Sequence, residues 1–177
     1  MREYCDLLYI EQNGKDRLAE IDAIVKEVKN SFSIIDDLGE LCRVVANNIV
    51  ASFKENGINY RIINTAELDS SYEHIFIIAF FKTETFNYIL IDPTYEQFVR
   101  KDTHKLRALE EWPSEVLQED KRGRVMLDNL IRHGYHLIDD DMLSLYLKPF
   151  TGKEQNISLD DILLLDHKFI SSVRDKK

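Results

Sequence analysis

Apolar residues recur along this chain with two different periods, and the change of period divides it into elements. Over residues 15–31, Leu18, Ile21, Val25 and Val28 fall on one face at helical spacing while Glu20, Asp22, Lys26 and Glu27 occupy the solvated side, which predicts an amphipathic packing helix. Asp36-Asp37-Leu38-Gly39 reads as a capped helix start, after which Leu41, Val45, Ile49 and Phe53 repeat until Asn56-Gly57 stops the helix. The pattern then changes. Tyr60–Ile63 is a short strand candidate, and residues 74–82 and 86–92, rich in Ile, Phe and Tyr around Lys82-Thr83-Glu84-Thr85, predict a β-hairpin.

Beyond Phe98 the chain turns strongly charged from Arg100 to Arg107. The segment Glu110-Glu111-Trp112-Pro113-Ser114 then opens a helix with Ser114 as its cap, and Trp112 is expected to pack on the domain edge rather than face a substrate. Gly123 interrupts, Val125–His133 resumes a helical pattern, Gly134 stands where a C-cap belongs, and another helix begins near Asp139. Residues 157–165 form a last short apolar element, and Arg174-Asp175-Lys176-Lys177 is expected to fray. Helices and a small antiparallel sheet together make the predicted class α+β.

Composition narrows the function without naming it. A length of 177 residues, 44% hydrophobic and 31% charged, suits one domain with its own core. The net charge of −9 opposes a nucleic-acid backbone as partner, and no Lys/Arg run offsets it. Two cysteines, Cys5 and Cys42, are too few for a disulfide framework and fit a reducing compartment. The opening ten residues lack the long apolar core of a Sec-type signal, and no stretch approaches a membrane span. The expected location is cytoplasmic, or wherever a specialised secretion route delivers the chain.

Several chemistries lack their residues. His104, His133, His136 and His167 make no metal set, because Gly134 breaks the helix that could align His133 with His136 and no Cys pair accompanies them. There is no Gly-x-Gly-x-x-Gly, no Walker-type loop and no Gly-x-Ser-x-Gly elbow. No cofactor is expected.

One chemistry has its residues in order. Cys42 lies in the first turn of the second helix, His74 opens the strand His-Ile-Phe-Ile-Ile-Ala-Phe-Phe, and Asp92 closes Tyr-Ile-Leu-Ile-Asp-Pro-Thr-Tyr. A thiol is mostly protonated near neutrality, so it needs an imidazole to remove its proton and a carboxylate to fix the ring's tautomer. A helix start adds unpaired amides and a favourable dipole, and the amide of Cys42 can donate to an oxyanion. Hairpin register then becomes decisive. Pairing residues that sum to 166 sets His74 opposite Asp92, whereas the two-residue loop Thr83-Glu84 gives 167 and turns them to opposite faces, so the triad demands an odd-residue loop or a bulge. Pro93 biases Asp92 toward extended geometry and ends the strand.

The segments Gly-Glu-Leu-Cys-Arg, Glu-His-Ile-Phe-Ile-Ile and Asp-Pro-Thr-Tyr-Glu-Gln-Phe resemble the Cys, His and Asp blocks of papain-like bacterial toxins and effectors, including YopT-type proteases and the glutamine-deamidating domains of mitogenic toxins. The resemblance covers residues 36–100. It implies a papain-like domain over 1–177, with a helical extension at 1–35, a catalytic core at 36–100 and a mostly helical part at 101–177. It further implies Cys42 as nucleophile, His74 as base and Asp92 as orienter, acting on a protein or peptide substrate. The expected activity is deamidation of protein glutamine side chains. The alternatives are proteolysis or transglutamination by the same triad, or a non-catalytic binding module that keeps the fold. One feature departs from the family: many members carry an amide side chain just before the nucleophile, whereas here stand Asp36, Asp37 and Glu40, with Asn30 the nearest amide.

Overall fold

The structure is a computed structural model. It describes residues 11–12, 15–32, 41–68, 70, 72–82, 86–99, 109, 111–151 and 158–162. Cys5, the acidic segment 36–40, the hairpin connection 83–85, the charged run 100–107 with His104, and everything from Leu163 onward, His167 and the last four residues included, lie outside that set.

A four-stranded antiparallel sheet forms the middle layer, in the order β3 (Tyr60–Asn64), β4 (Ile75–Lys82), β5 (Phe86–Ile91) and β6 (Tyr135–Ile138). A separate two-stranded pair, β1 (Glu11–Gln12) and β2 (Lys15–Asp16), precedes the first helix. Helices α1 (Arg17–Ser31) and α2 (Cys42–Glu55) contribute to one apolar core on the sheet. Helices α3 (Pro113–Glu119), α4 (Lys121–His133) and α5 (Asp140–Thr151) contribute to a second core. The class is α+β.

Period-2 alternation in β4 and β5 feeds both cores, because successive side chains point to opposite faces. Ile75, Ile77, Ala79, Ile89 and Ile91 join Leu18, Ile21, Ile49 and Phe53 on the α1/α2 side. Phe76, Ile78 and Leu90 join Leu130, Leu143, Tyr146 and Phe150 on the other. Burial of each such side chain is worth about 1.5–3 kcal/mol, enough for the apolar stripes to hold each helix on its face.

Helix ends follow local chemistry, with three corrections to the sequence reading. α2 begins at Cys42, and Leu41 at its N-cap makes no side-chain cap bond. α3 is opened by Pro113 after Trp112, and Ser114 lies buried inside the helix rather than capping it, since proline is already suited to the first helical position. The break between α3 and α4 falls at Asp120, whose Oδ1 accepts from the amides of Arg122 and Gly123. Gly123 itself lies inside α4, where a Cβ would stand 2.3 Å from the Leu117 carbonyl oxygen. Close approach of the two helices, rather than a helix stop, requires that glycine. Gly134 does end α4, in the left-handed conformation at φ 77°, with its amide donating to Asn129 and Leu130 carbonyls.

Strand β6 has no counterpart in the sequence reading. Its four residues pair with β5, Leu90 facing His136 and Ile91 facing Tyr135. Such a short segment between two strong helices carries too little alternation to reveal itself. The C-terminal part of the chain therefore completes the central sheet.

Candidate functional site

Cys42, His74 and Asp92 meet at one end of the sheet. His74 lies just before β4, and both its backbone groups are held by Thr65: its amide donates to Thr65 Oγ1 at 2.8 Å and its carbonyl accepts from the Thr65 amide at 2.9 Å. Asp92 follows β5, and its amide donates to the Gly134 carbonyl at 2.9 Å. Pro93 and Thr94 then form a tight turn closed by the Tyr95 amide donating to the Asp92 carbonyl, and Thr94 sits at φ −94°, ψ 2°, the third position of a type I turn. Proline suits the second position because its ring presets φ.

Register decides which faces these side chains take. Ile77 pairs with Ile91 and Lys82 with Phe86, so partners sum to 168 and three residues connect the strands. The odd-residue connection that the triad demands is therefore present, with one correction. His74 and Asp92 share a face as diagonal neighbours rather than standing directly opposite, a separation that long side chains span.

Both side chains are buried, each 1% exposed, and His74 Nε2 lies 2.7 Å from Asp92 Oδ2. Donation from Nε2–H to the carboxylate leaves Nδ1 for the sulfur, a tautomer assigned from these partners. The half-buried Cys42 thiol is hydrogen-bonded to His74 and to the backbone amide of Ile75. As the first residue of α2, Cys42 also sits among helix amides with no acceptor inside the helix. Outside the triad, Arg43 Nη2 meets Glu73 Oε1 at 2.6 Å, an exposed ion pair between the residues adjoining Cys42 and His74.

The electrostatics follow from this packing. Burial alone acts to lower the His74 pKa, but the Asp92 charge and hydrogen bond, together with Cys42, push it up to about 9. Burial acts to raise the Cys42 pKa, but the hydrogen bond and charge of His74 and the Ile75 amide outweigh burial and the Asp92 charge, and the thiol is lowered. Both shifts run toward a thiolate facing an imidazolium.

Several contributors escaped the sequence reading. Asp92 Oδ2 also accepts from the Tyr146 hydroxyl at 2.7 Å, and Oδ1 accepts from Thr94 Oγ1 at 3.0 Å. Gln97 Nε2 donates to the Thr94 carbonyl at 3.0 Å, which ties the turn to the following 3-10 segment, Tyr95–Phe98. The imidazole packs against two rings that also touch each other, stacked on Phe150 at 5.4 Å and 14° and edge-on to Phe98 at 4.9 Å. Thr94, Gln97 and Phe98 stand inside the Asp-Pro-Thr-Tyr-Glu-Gln-Phe block, which offered a signal. Tyr146 offered only a weak one, a phenol in an apolar helical stripe that needs some buried acceptor.

The chain matches no family model, no curated protein and no solved structure. Among the described residues no group of His, Cys, Asp and Glu could hold a metal ion, and no helix is long and apolar enough to cross a membrane.

Proposed function

We propose that this protein is a papain-like cysteine acyl-transfer enzyme that deamidates glutamine side chains of proteins. One observation carries the reading: a half-buried thiol at a helix start, hydrogen-bonded to an imidazole whose other nitrogen meets a buried carboxylate at 2.7 Å. In this reading the Cys42 thiolate attacks the side-chain carbonyl carbon, and the oxyanion is met by amides at the start of α2. His74 then gives its proton to the departing nitrogen, ammonia leaves and a thioester remains. Water, deprotonated by neutral His74, attacks the thioester, releasing a glutamate side chain and the thiol. Asp92 holds the ring in one tautomer throughout.

The same thioester logic serves peptide bonds and amine acceptors. Deamidation is favoured because the Asp92–Phe98 block resembles toxin deamidases. Action on proteins of the cytoplasm, with or without delivery by a specialised secretion route, belongs to this proposal. Candidate proteins from a cell extract, treated with wild type or Cys42→Ala, should show a Cys42-dependent gain of about one dalton at a Gln, as hydrolysis of that thioester requires. New amino termini instead establish proteolysis, and amine adducts establish transglutamination. No modification, together with a Cys42 inert to electrophiles, replaces the enzyme reading with a binding module.

A further inference from the structure

Two buried phenols approach Asp92, and only one of them bonds it. Tyr146 donates its hydroxyl to Oδ2 at 2.7 Å, the oxygen that also receives His74 Nε2 at 2.7 Å. Tyr95 is equally buried, yet its hydroxyl has no hydrogen-bond partner among the described residues. One helical turn beyond Tyr146, Phe150 stacks on the imidazole itself. Helix α5 thus reaches both the carboxylate and the ring it orients, from a stretch of chain more than forty residues past Asp92.

We propose that Tyr146 is a positioning residue whose hydroxyl shares Asp92 Oδ2 with His74 and thereby limits how firmly the carboxylate holds the imidazole proton. The inference deepens the acyl-transfer reading and rests on it for its catalytic meaning. A carboxylate oxygen that accepts two donors has its charge divided between them, so withdrawing one strengthens the bond to the other. Thr94 Oγ1 keeps Oδ1 engaged at 3.0 Å, so loss of the phenol hydroxyl redistributes charge without freeing the carboxylate to turn. The consequence for the reaction is direct. An imidazole gripped too firmly is a poor proton donor to a leaving group, and one gripped too loosely does not hold the thiolate. Among the described residues the titratable groups acting on the ring are Cys42 from α2 and Asp92 after β5, and those acting on Asp92 in turn are Tyr95 from the 3-10 segment and Tyr146 from α5. Burial and the Asp92 charge keep both phenols protonated. Tyr146 therefore remains a donor across the working range.

The test follows the His74 ring by NMR in the full chain carrying Cys42→Ala, so that the midpoint belongs to the imidazole alone and no turnover is needed. Tyr146→Phe keeps the ring and removes the donor. The His74 midpoint should rise by about half a pH unit or more, as loss of a competing hydrogen bond to its partner requires. A 3-fluorotyrosine at position 146, a stronger donor that keeps the side chain nearly unchanged, should lower it, and this arm decides the matter if Tyr146→Phe does not fold. A midpoint that stays put or moves the other way in a folded variant overturns the inference. An inert Cys42 in the otherwise unaltered chain instead overturns the acyl-transfer reading, whatever the ring does.

Discussion

The two faces of the central sheet are built from different materials. Against α1 and α2 the core is almost wholly aliphatic: Leu18, Ile21, Val25, Ile49, Val50, Ile75, Ile77 and Ile91, with Phe53 its large ring and Tyr135 sending its hydroxyl out to Asp22 at 2.8 Å. The opposite core holds Phe76, Tyr95, Phe98, Tyr146 and Phe150 around a buried His74, Asp92, Thr94 and Gln97. An aliphatic core asks only for volume and shape, whereas buried polar groups must be satisfied one by one. The first face anchors the helix that brings Cys42; the second face confines the imidazole and carboxylate. The site lies at the sheet's end, where the two materials meet.

This comparison breaks most sharply at the triad. Cys42→Ala and His74→Ala should each lower the acyl-transfer rate by about a thousandfold or more, the usual cost of losing a member of such a unit. Asp92→Asn should lower it comparably and also destabilise the chain. It puts an amide NH2 where one of the two acceptor oxygens stood, so the donors from His74, Tyr146 and Thr94 can no longer all be accepted, and each bond lost without replacement costs about 1–3 kcal/mol. Urea unfolding beside turnover separates the two effects. At mildly acidic pH, iodoacetamide should label Cys42 faster than Cys5, and His74→Ala should remove the difference.

On the aliphatic face the effects should divide. Phe53→Ala removes a fully buried ring and should cost about 3–5 kcal/mol of stability, while the alkylation rate of Cys42 per folded molecule stays within about a factor of three. A large fall in that rate breaks the division of labour between the faces.

The faces also differ in response to pH, because the aromatic one fully buries the titratable pair His74 and Asp92. His74 sits at about 9 in the fold against an ordinary 6.5, so its proton contributes stability that is complete below about pH 6.5 and lost as pH rises through about 9. Cys42 has the opposite sign. Its thiolate contributes above the ordinary thiol value of 9.0, and that contribution is lost as pH falls through the lowered folded value. In Cys42→Ala the His74 effect stands alone, raised now by Asp92 without the help of Cys42, so the melting temperature should fall as pH rises above about 6.5, over a window that closes below about pH 9. The same scan in the Cys42→Ala, His74→Gln chain should lack that fall.

Two smaller tests sharpen the seam between faces. Gly134 adopts φ 77°, and a Cβ there would stand 3.0 Å from Val25 Cγ1 and 3.2 Å from Pro93. Gly134→Ala should therefore cost about 1–2 kcal/mol and, because the Gly134 carbonyl accepts the Asp92 amide, slow the chemistry as well. The exposed pair between Arg43 and Glu73 bridges the neighbours of Cys42 and His74. Arg43→Gln should change stability by less than about 1 kcal/mol, since solvent screens such pairs, and a double-mutant cycle with Glu73→Gln measures it.

Much of this architecture was legible from residue order alone. The apolar stripes of α1 and α2, the hairpin of β4 and β5, the stop at Gly134 and the trio Cys42, His74 and Asp92 all follow from local pattern, because period and breaker residues act within a few positions. Parity carried further still: His74 and Asp92 could share a face only with an odd-residue connection, and three residues connect the strands. Distance along the chain marks where this legibility ended. The pairing of β6 with β5, the close approach of α3 and α4 at Gly123, and the placing of Tyr146 and Phe150 against Asp92 and His74 join segments far apart in sequence or depend on helix packing. A short strand carries little period, and a tyrosine in an apolar stripe names no partner. Those choices are made when the whole core closes, because only the packed fold determines which acceptor a buried phenol can reach.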